Sequence, residues 1–349
     1  FDYQNWYPSV EFETKNTITN VGLYELSPFS KYEIKGEQAH SELQRICTAN
    51  IKNEIGRSTY TQMLNKAGGI ETDLTVICID KNHFRIISSA ATRTHDKAHI
   101  LKHLLPNLEF KDITDDLVCL GIFGPKSRNL ISKISNDDFS NETFKFGYGK
   151  LVTLGSKKVW AQRLSYVGEL GFELYIENKD AKEIYQLIVE EGKNHDLSHC
   201  GSHAMYTMRM ESGFLHWGHD ISPEENQYEA GLNFAISYKK EIDFIGKESL
   251  LKIKDKKQNR RFIMLSLKDS KPGTPLLLHE EPIYLGDKII GRTTSGNYSF
   301  NYKKNLSFGY VSSSHSNEEL SKMDLYIEVA KQKFPAVVEI TPLKNKQAR

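Results

Sequence analysis

The segment Tyr60-Thr61-Gln62-Met63-Leu64-Asn65-Lys66-Ala67-Gly68-Gly69-Ile70-Glu71-Thr72-Asp73-Leu74 sets a carboxylate, after a glycine turn, at the entrance of an apolar run. Tyr60 and Met63 lie close by in sequence. A carboxylate so placed can face a partly desolvated pocket, where it accepts a proton or hydrogen-bonds an amine nitrogen. The same residues also suit a plain hairpin loop shaped by Gly69 and Asp73. A second cluster, Arg163-Leu164-Ser165-Tyr166-Val167-Gly168-Glu169-Leu170-Gly171-Phe172-Glu173-Leu174-Tyr175, mixes glycines, carboxylates and aromatics between strand-like flanks. Glu173 can accept two parallel hydrogen bonds from a ring N–H and its neighbouring amino group, as a guanine-like or pterin edge presents them. Tyr166 can stack on such a ring or cap it with its hydroxyl. The plainer alternative is a polar hairpin with a solvated glutamate.

Histidines raise the question of a metal. In Arg209-Met210-Glu211-Ser212-Gly213-Phe214-Leu215-His216-Trp217-Gly218-His219-Asp220, the trio His216, His219 and Asp220 lacks the further ligand that a zinc site needs. His195, His199 and His203 recur every four residues, but Gly201 argues against one unbroken helix there. Neither group is read as a metal site. Arg209 and Glu211 are too close for a helical pair, so each needs its own partner. No GxGxxG follows a strand and no GxxxxGK[ST] loop occurs, so a nucleotide site in this chain has no support.

The elements that must hold these residues alternate between strand and helix patterns, which predicts an α+β protein. Strands are expected at 32–35, 74–79, 84–87, 150–154 and 158–164, and helices at 37–47, 95–105 and 178–191. The run Lys252-Ile253-Lys254-Asp255-Lys256-Lys257-Gln258-Asn259-Arg260-Arg261 is charged and nearly free of apolar residues. It predicts a boundary between a region 1–251 and a domain 262–349. Beyond it, short runs at 262–267, 282–285, 288–290 and 324–329, divided by Gly and Pro, predict a small β-barrel or sandwich.

Bulk properties bound the partners. Lys and Arg total 46 against 45 Asp and Glu, a net charge of +1, without the basic excess of a nucleic-acid binder. No apolar stretch approaches the roughly 18 residues of a membrane span, and no export signal is visible. The four cysteines, Cys47, Cys78, Cys119 and Cys200, are widely spaced and read as reduced core residues of a cytoplasmic or matrix-like compartment. The chain opens Phe1-Asp2-Tyr3 without a methionine, as a processed product or a piece of a longer chain does.

Taken in order, several segments resemble one family. They are Val21-Gly22-Leu23-Tyr24-Glu25-Leu26-Ser27, the Tyr60–Leu74 cluster, Tyr166…Gly168-Glu169…Gly171-Phe172-Glu173-Leu174, Glu229-Ala230-Gly231-Leu232, Phe244-Ile245-Gly246-Lys247-Glu248 and Thr294-Ser295-Gly296-Asn297-Tyr298. Each is weak alone; in this order and spacing they are similar to the aminomethyltransferase (glycine cleavage T-protein) family. Within it, His216-Trp217-Gly218-His219-Asp220 with Pro223-Glu224, and the opening Asn5-Trp6-Tyr7, resemble the folate-binding half of dimethylglycine and sarcosine dehydrogenases.

The resemblance implies a fold of folate-binding α/β subdomains followed by a C-terminal β-barrel. It implies tetrahydrofolate as cofactor and acceptance of a methylene or formaldehyde equivalent from N-methyl amine oxidation, giving 5,10-methylenetetrahydrofolate. The oxidation belongs to FAD on a separate or upstream module, a flavin-dependent amine dehydrogenase partner. By the same resemblance Asp73 is the acid beside folate N10, Glu173 reads the pterin edge, and Tyr60, Met63 and Tyr166 line the folate pocket. Glycine-cleavage members carry an arginine where this chain has Met205, a contact to the acidic folate tail; Arg292 is the expected substitute. A stand-alone aminomethyltransferase or folate-dependent demethylase, and a non-catalytic folate-binding module, are the alternative readings.

Overall fold

In the computed structural model, which describes residues 4–312 and 314–344, the chain forms two antiparallel-rich sheets and a barrel. The opening Phe1-Asp2-Tyr3 lies outside the described residues. One sheet has six strands, in spatial order Leu197–Cys200, Val21–Glu25, Leu117–Phe123, Gly171–Glu177, Lys157–Gln162 and Gly149–Leu154. Only its first pair is parallel; the rest run antiparallel. The other sheet has five strands, Ser58–Leu64, Ile70–Asp80, His83–Ser88, Ser30–Lys35 and Glu109–Asp112, all antiparallel. The chain passes back and forth between the sheets, so they are interleaved in sequence.

Each sheet buries one face under helices. The helix Asn178–Gly192 sets Ile184 and Ile188 into the core of the six-stranded sheet, beside Phe172, Leu174 and Val159. This is the apolar stripe expected from its 3.6-residue spacing. The helix Ala39–Ile46 packs Leu43 and Ile46 against Tyr32, Val76 and Phe84 of the five-stranded sheet, and Arg93–His103 adds Ile100. All four cysteines are free and buried. No helix among the described residues is long and apolar enough to cross a membrane.

The barrel closes through Arg261–Leu267, Lys304–Val311, Lys288–Ser299, Pro282–Leu285, Leu325–Val329 and Gln332–Glu339. Two of these strands, Lys304–Val311 and Gln332–Glu339, were not expected from the sequence. The short run expected at 288–290 extends instead to Ser299, through Thr294-Ser295-Gly296. The register shifts between Thr293 and Ser295, so the strand takes this polar stretch in its stride as a bulge.

The charged run at 252–261 joins the last helix before the barrel, Lys247–Ile253, to the first barrel strand. Its end is anchored: Arg260 lies 2.8 Å from Glu225 and 3.4 Å from Glu229. One apolar cluster crosses the run, with Leu64, Ile70, Met210 and Leu232 meeting Met264, Leu306 and Phe308.

Candidate active site

A cavity of ≈ 180 Å³ opens where the two sheets meet the loop 212–225. Its wall is mostly apolar, with Leu26, Phe29, Leu74, Ile87, Leu164, Leu215 and Trp217. The polar side chains that line it include Tyr60, Asp73, Tyr166, His216, Lys31, Glu173 and Tyr175.

Asp73 does not stand at a strand entrance as the sequence suggested; it lies inside the strand Ile70–Asp80, directly opposite Gln62 of Ser58–Leu64. Side chains of a strand alternate between faces, so Tyr60 and Gln62 share the face that meets Asp73. Met63 falls on the other face and is fully buried against Cys47, Tyr32 and Leu43. The expectation that Met63 lines the pocket is therefore corrected by strand parity. Gln62 Nε2 donates to Asp73 Oδ1 at 2.7 Å, while Gln62 Oε1 accepts from Gln227 Nε2 at 2.6 Å. Gln227 Nε2 also donates to Thr48 Oγ1 at 3.1 Å, so the amide of Gln62 cannot turn without losing a partner. Burial pushes the Asp73 carboxyl up to about 6, against the opposing hydrogen bonds from Gln62 and Tyr60. A carboxylate with that affinity is a competent base near neutral pH.

The hairpin carrying Asp73 is pinned at its turn. A Cβ on Gly69 would stand 2.0 Å from the carbonyl oxygen of Pro223, and Ile70 N donates to Glu225 O at 3.0 Å. Only glycine permits that approach between the hairpin and the loop 212–225. The Trp217 indole donates to Ile70 O at 3.0 Å, a second tie between them.

Glu173 accepts the Tyr175 hydroxyl at 2.8 Å. The two residues are two apart on the strand Gly171–Glu177 and so share a face. Burial raises the Glu173 carboxyl, partly offset by that hydrogen bond. The Arg85 guanidinium lies over the Tyr175 ring at 5.5 Å. Lys31, itself buried, donates to the carbonyls of Ser27 at 2.8 Å and Phe29 at 2.7 Å, and burial lowers its affinity for the proton.

The loops over the cavity are held from below. The Tyr166 hydroxyl donates to Leu215 O at 2.8 Å and its ring stacks on Phe214, centroids 5.9 Å apart. Asp220 is buried and takes Arg209 Nη1 at 2.6 Å, Thr294 Oγ1 at 2.6 Å, Ser295 Oγ at 2.7 Å and the backbone N–H of His216 at 3.0 Å. Consecutive residues of a regular strand point to opposite faces; the bulge at Thr294 lets both hydroxyls reach one carboxylate. The motif at 294–296 thus serves the site from the barrel. Glu211, as expected, has partners of its own, Ser299 Oγ at 2.6 Å and Asn301 Nδ2.

Of the residues singled out from the sequence, Tyr60, Asp73, Tyr166 and Glu173 come together in the cavity. Arg292 does not: it is exposed on a barrel strand and paired with Glu280 at 2.9 Å. Met205 packs in the core with Tyr24, Val10 and Met208. His195, His199 and His203 fall in three different elements, a 3₁₀ turn, a strand and a helix. Sequence reasoning missed Gln62, Tyr175 and Lys31 as site residues, and named His216 and Trp217 only within a rejected metal trio and a family motif. Strand parity with Tyr60 and Glu173 could have found the first two; Gln227, 165 residues from Gln62, had no local signal.

Two interleaved sheets and a barrel that braces the site loop frame a mostly apolar cavity lined by two carboxylates. Residues 1–240 match the GCVT N-terminal domain, and residues 260–344 match the glycine cleavage T-protein C-terminal barrel domain. The chain belongs to the glycine cleavage T-protein family of folate-dependent aminomethyltransferases. It is 33% identical over 350 residues to mitochondrial dimethylglycine dehydrogenase of Rattus norvegicus, covering 98% of this chain and 40% of that protein. The chain thus spans about two fifths of the length of that relative. It is 28% identical over 347 residues to an aminomethyltransferase of Anoxybacillus flavithermus, covering 98% of this chain and 93% of that protein. The structure of glycine cleavage system aminomethyltransferase T from Bartonella henselae superposes with a TM-score of 0.84 at 20% identity, over 96% of this chain and 89% of that one, and shares the fold.

Proposed function

We propose that this chain passes a one-carbon unit at the formaldehyde level to tetrahydrofolate, giving 5,10-methylenetetrahydrofolate, with Asp73 as the proton acceptor at N10. The observation that carries the reading is Asp73 itself, a carboxylate in an apolar cavity, raised to about 6 and aimed by Gln62. The mostly apolar lining supports the reading, since it would suit a flat ring, and a second, half-buried carboxylate, Glu173, could accept from an amino-pyrimidine edge. Tetrahydrofolate supplies two nucleophilic nitrogens, N5 and N10, that share the carbon. Glu173 holds the pterin edge, Tyr60 and Tyr166 flank the ring system, and the apolar wall keeps bulk water from the reacting carbon.

The donor in this reading is an N-methyl amine oxidised on an FAD-bearing module or subunit, a flavin-dependent amine dehydrogenase of the dimethylglycine or sarcosine type. Similarity to dimethylglycine dehydrogenase and, at 36% identity over 304 residues, to 4-methylaminobutanoate oxidase (formaldehyde-forming) of Paenarthrobacter nicotinovorans supports it. So does Met205 in place of the glycine-cleavage arginine. The reading sets the protein in the cytoplasm or a mitochondrial matrix, in keeping with its four free cysteines. A stand-alone aminomethyltransferase is the second reading, favoured by the 93% coverage of such an enzyme.

The test is product formation from tetrahydrofolate and formaldehyde, measured above the uncatalysed rate, together with calorimetric binding. Asp73→Asn should lower turnover about 10²- to 10⁴-fold, the usual worth of a general base, with the Kd for tetrahydrofolate within a few-fold. An unchanged rate removes Asp73 from the chemistry. Binding with no turnover by the native protein favours a non-catalytic folate-binding module.

A further inference from the structure

Most titratable side chains in the cavity wall are already committed to partners. Asp73 accepts from Gln62, Tyr175 bonds Glu173, Tyr166 bonds Leu215 O, and Lys31 holds two carbonyls. His216 differs. It lines the same cavity, and neither of its ring nitrogens has a hydrogen-bond partner among the described residues. Its position is nonetheless well determined. Its backbone N–H is tied to Asp220, and its ring lies between His219, nearly parallel at 4.8 Å, and Tyr206 at 5.5 Å. Asp220 is locked by Arg209, Thr294 and Ser295, so the mount is rigid. An imidazole left unpaired on a braced wall is a group with its nitrogens free for a ligand.

We propose that His216 is a second proton-handling residue of the reaction, serving the oxygen of a formaldehyde-type donor while Asp73 serves N10. The inference rests on the one-carbon transfer reading above. With formaldehyde as donor the balance is simple. The carbon forms one bond to each of two nitrogens, the C=O bond is lost, two N–H bonds break, and the oxygen departs as water carrying both protons. Nothing is oxidised or reduced. Both protons must cross from nitrogen to oxygen inside a wall that offers few free polar atoms. A neutral imidazole can take a proton at one nitrogen and give one from the other. Burial, with Arg209 and His219 nearby, lowers the His216 imidazole to about 4, so it is neutral and bifunctional near pH 7. Its stacking partner His219 is exposed and faces His279 at 6.2 Å, so the ring column runs from the cavity wall to the surface.

His216→Gln tests this by separating chemistry from binding. Turnover with tetrahydrofolate and formaldehyde should fall on the order of 100-fold, with the Kd for tetrahydrofolate within about 2-fold. A second readout needs no variant and no turnover: the His216 ring resonances of the native protein should shift when tetrahydrofolate saturates the site. Wild-type turnover in His216→Gln, an equal loss of turnover and affinity, or unmoved resonances on saturation each overturn the assignment. Failure of the native protein to bind tetrahydrofolate at all would instead remove the underlying functional reading.

Discussion

Asp73 and Glu173 are both half-buried carboxylates lining one cavity, and desolvation raises the proton affinity of both, yet their partners differ. Asp73 is held by an amide, Gln62, which a second amide, Gln227, fixes from behind. Amides neither gain nor lose a proton near neutral pH, so they aim the carboxylate without competing for the proton it is to carry. Glu173 is held instead by a phenol, Tyr175, under the Arg85 guanidinium. That phenol donates to Glu173 Oε2, and the remaining lone pairs of both carboxylate oxygens can still accept N–H donors. In the proposed reading, the contrast teaches that similar desolvation serves a base at one place and a recognition group at the other, according to the partners.

The contrast breaks most visibly if the two carboxylates are exchanged for their amides. Whereas Asp73→Asn should remove turnover and spare affinity, Glu173→Gln should do the reverse. Its Kd for tetrahydrofolate should weaken about 10- to 100-fold, the worth of a hydrogen bond to a charged group, with saturated kcat within about 3-fold. If both variants lose kcat and affinity alike, the cavity does not divide its labour in this way.

A smaller effect should come from the supporting residues. Gln62→Leu deletes a donor to ionised Asp73 and should move the acidic limb of the rate profile, expected near 6, upward by about one pH unit. Tyr175→Phe should leave that limb in place and weaken folate binding alone. Rate profiles of the two variants measured side by side decide this.

The smallest effect is on stability. The folded Asp73 carboxyl sits above its ordinary value, so the fold favours its protonated form. Stability from this group is gained as pH falls through about 6 and is lost above it, where the charge is buried at a cost. Asp73→Asn should therefore raise stability at pH 7–8 by about 1–3 kcal/mol, with the gain fading below about pH 4. Thermal melts at two pH values test it; a variant less stable at neutral pH and unchanged in acid contradicts the burial of Asp73.

Much of the fold was legible. The strand His83–Ser88 and the amphipathic helix Asn178–Gly192 follow from local periodicity and lie where expected, whereas Ile70–Asp80 begins ahead of the expected 74–79 and takes in Asp73. The barrel was legible in kind but not in detail. Thr294-Ser295-Gly296-Asn297 has turn-like composition, and only pairing with Lys304–Val311 makes it strand. Of the site, Asp73 and Glu173 were marked by residue type and motif order. Arg292 drew attention by charge alone and stands paired on the surface, since proximity in space does not follow from a suitable side chain.

By itself the sequence determined the alternation of strands and helices, the reduced cysteines, the near-neutral charge and the ordered motifs of a folate-binding family. Those are local properties, set by the period and chemistry of neighbouring residues. Only the tertiary structure decided that Gln62 and Gln227, 165 residues apart, would aim Asp73, and that Thr294, 74 residues from Asp220, would help brace the loop bearing His216. Strand parity decided that Tyr60 faces the cavity while Met63 faces the core. The reason is physical: a buried polar group must find partners wherever the packed chain brings them, and that choice is made by the whole fold.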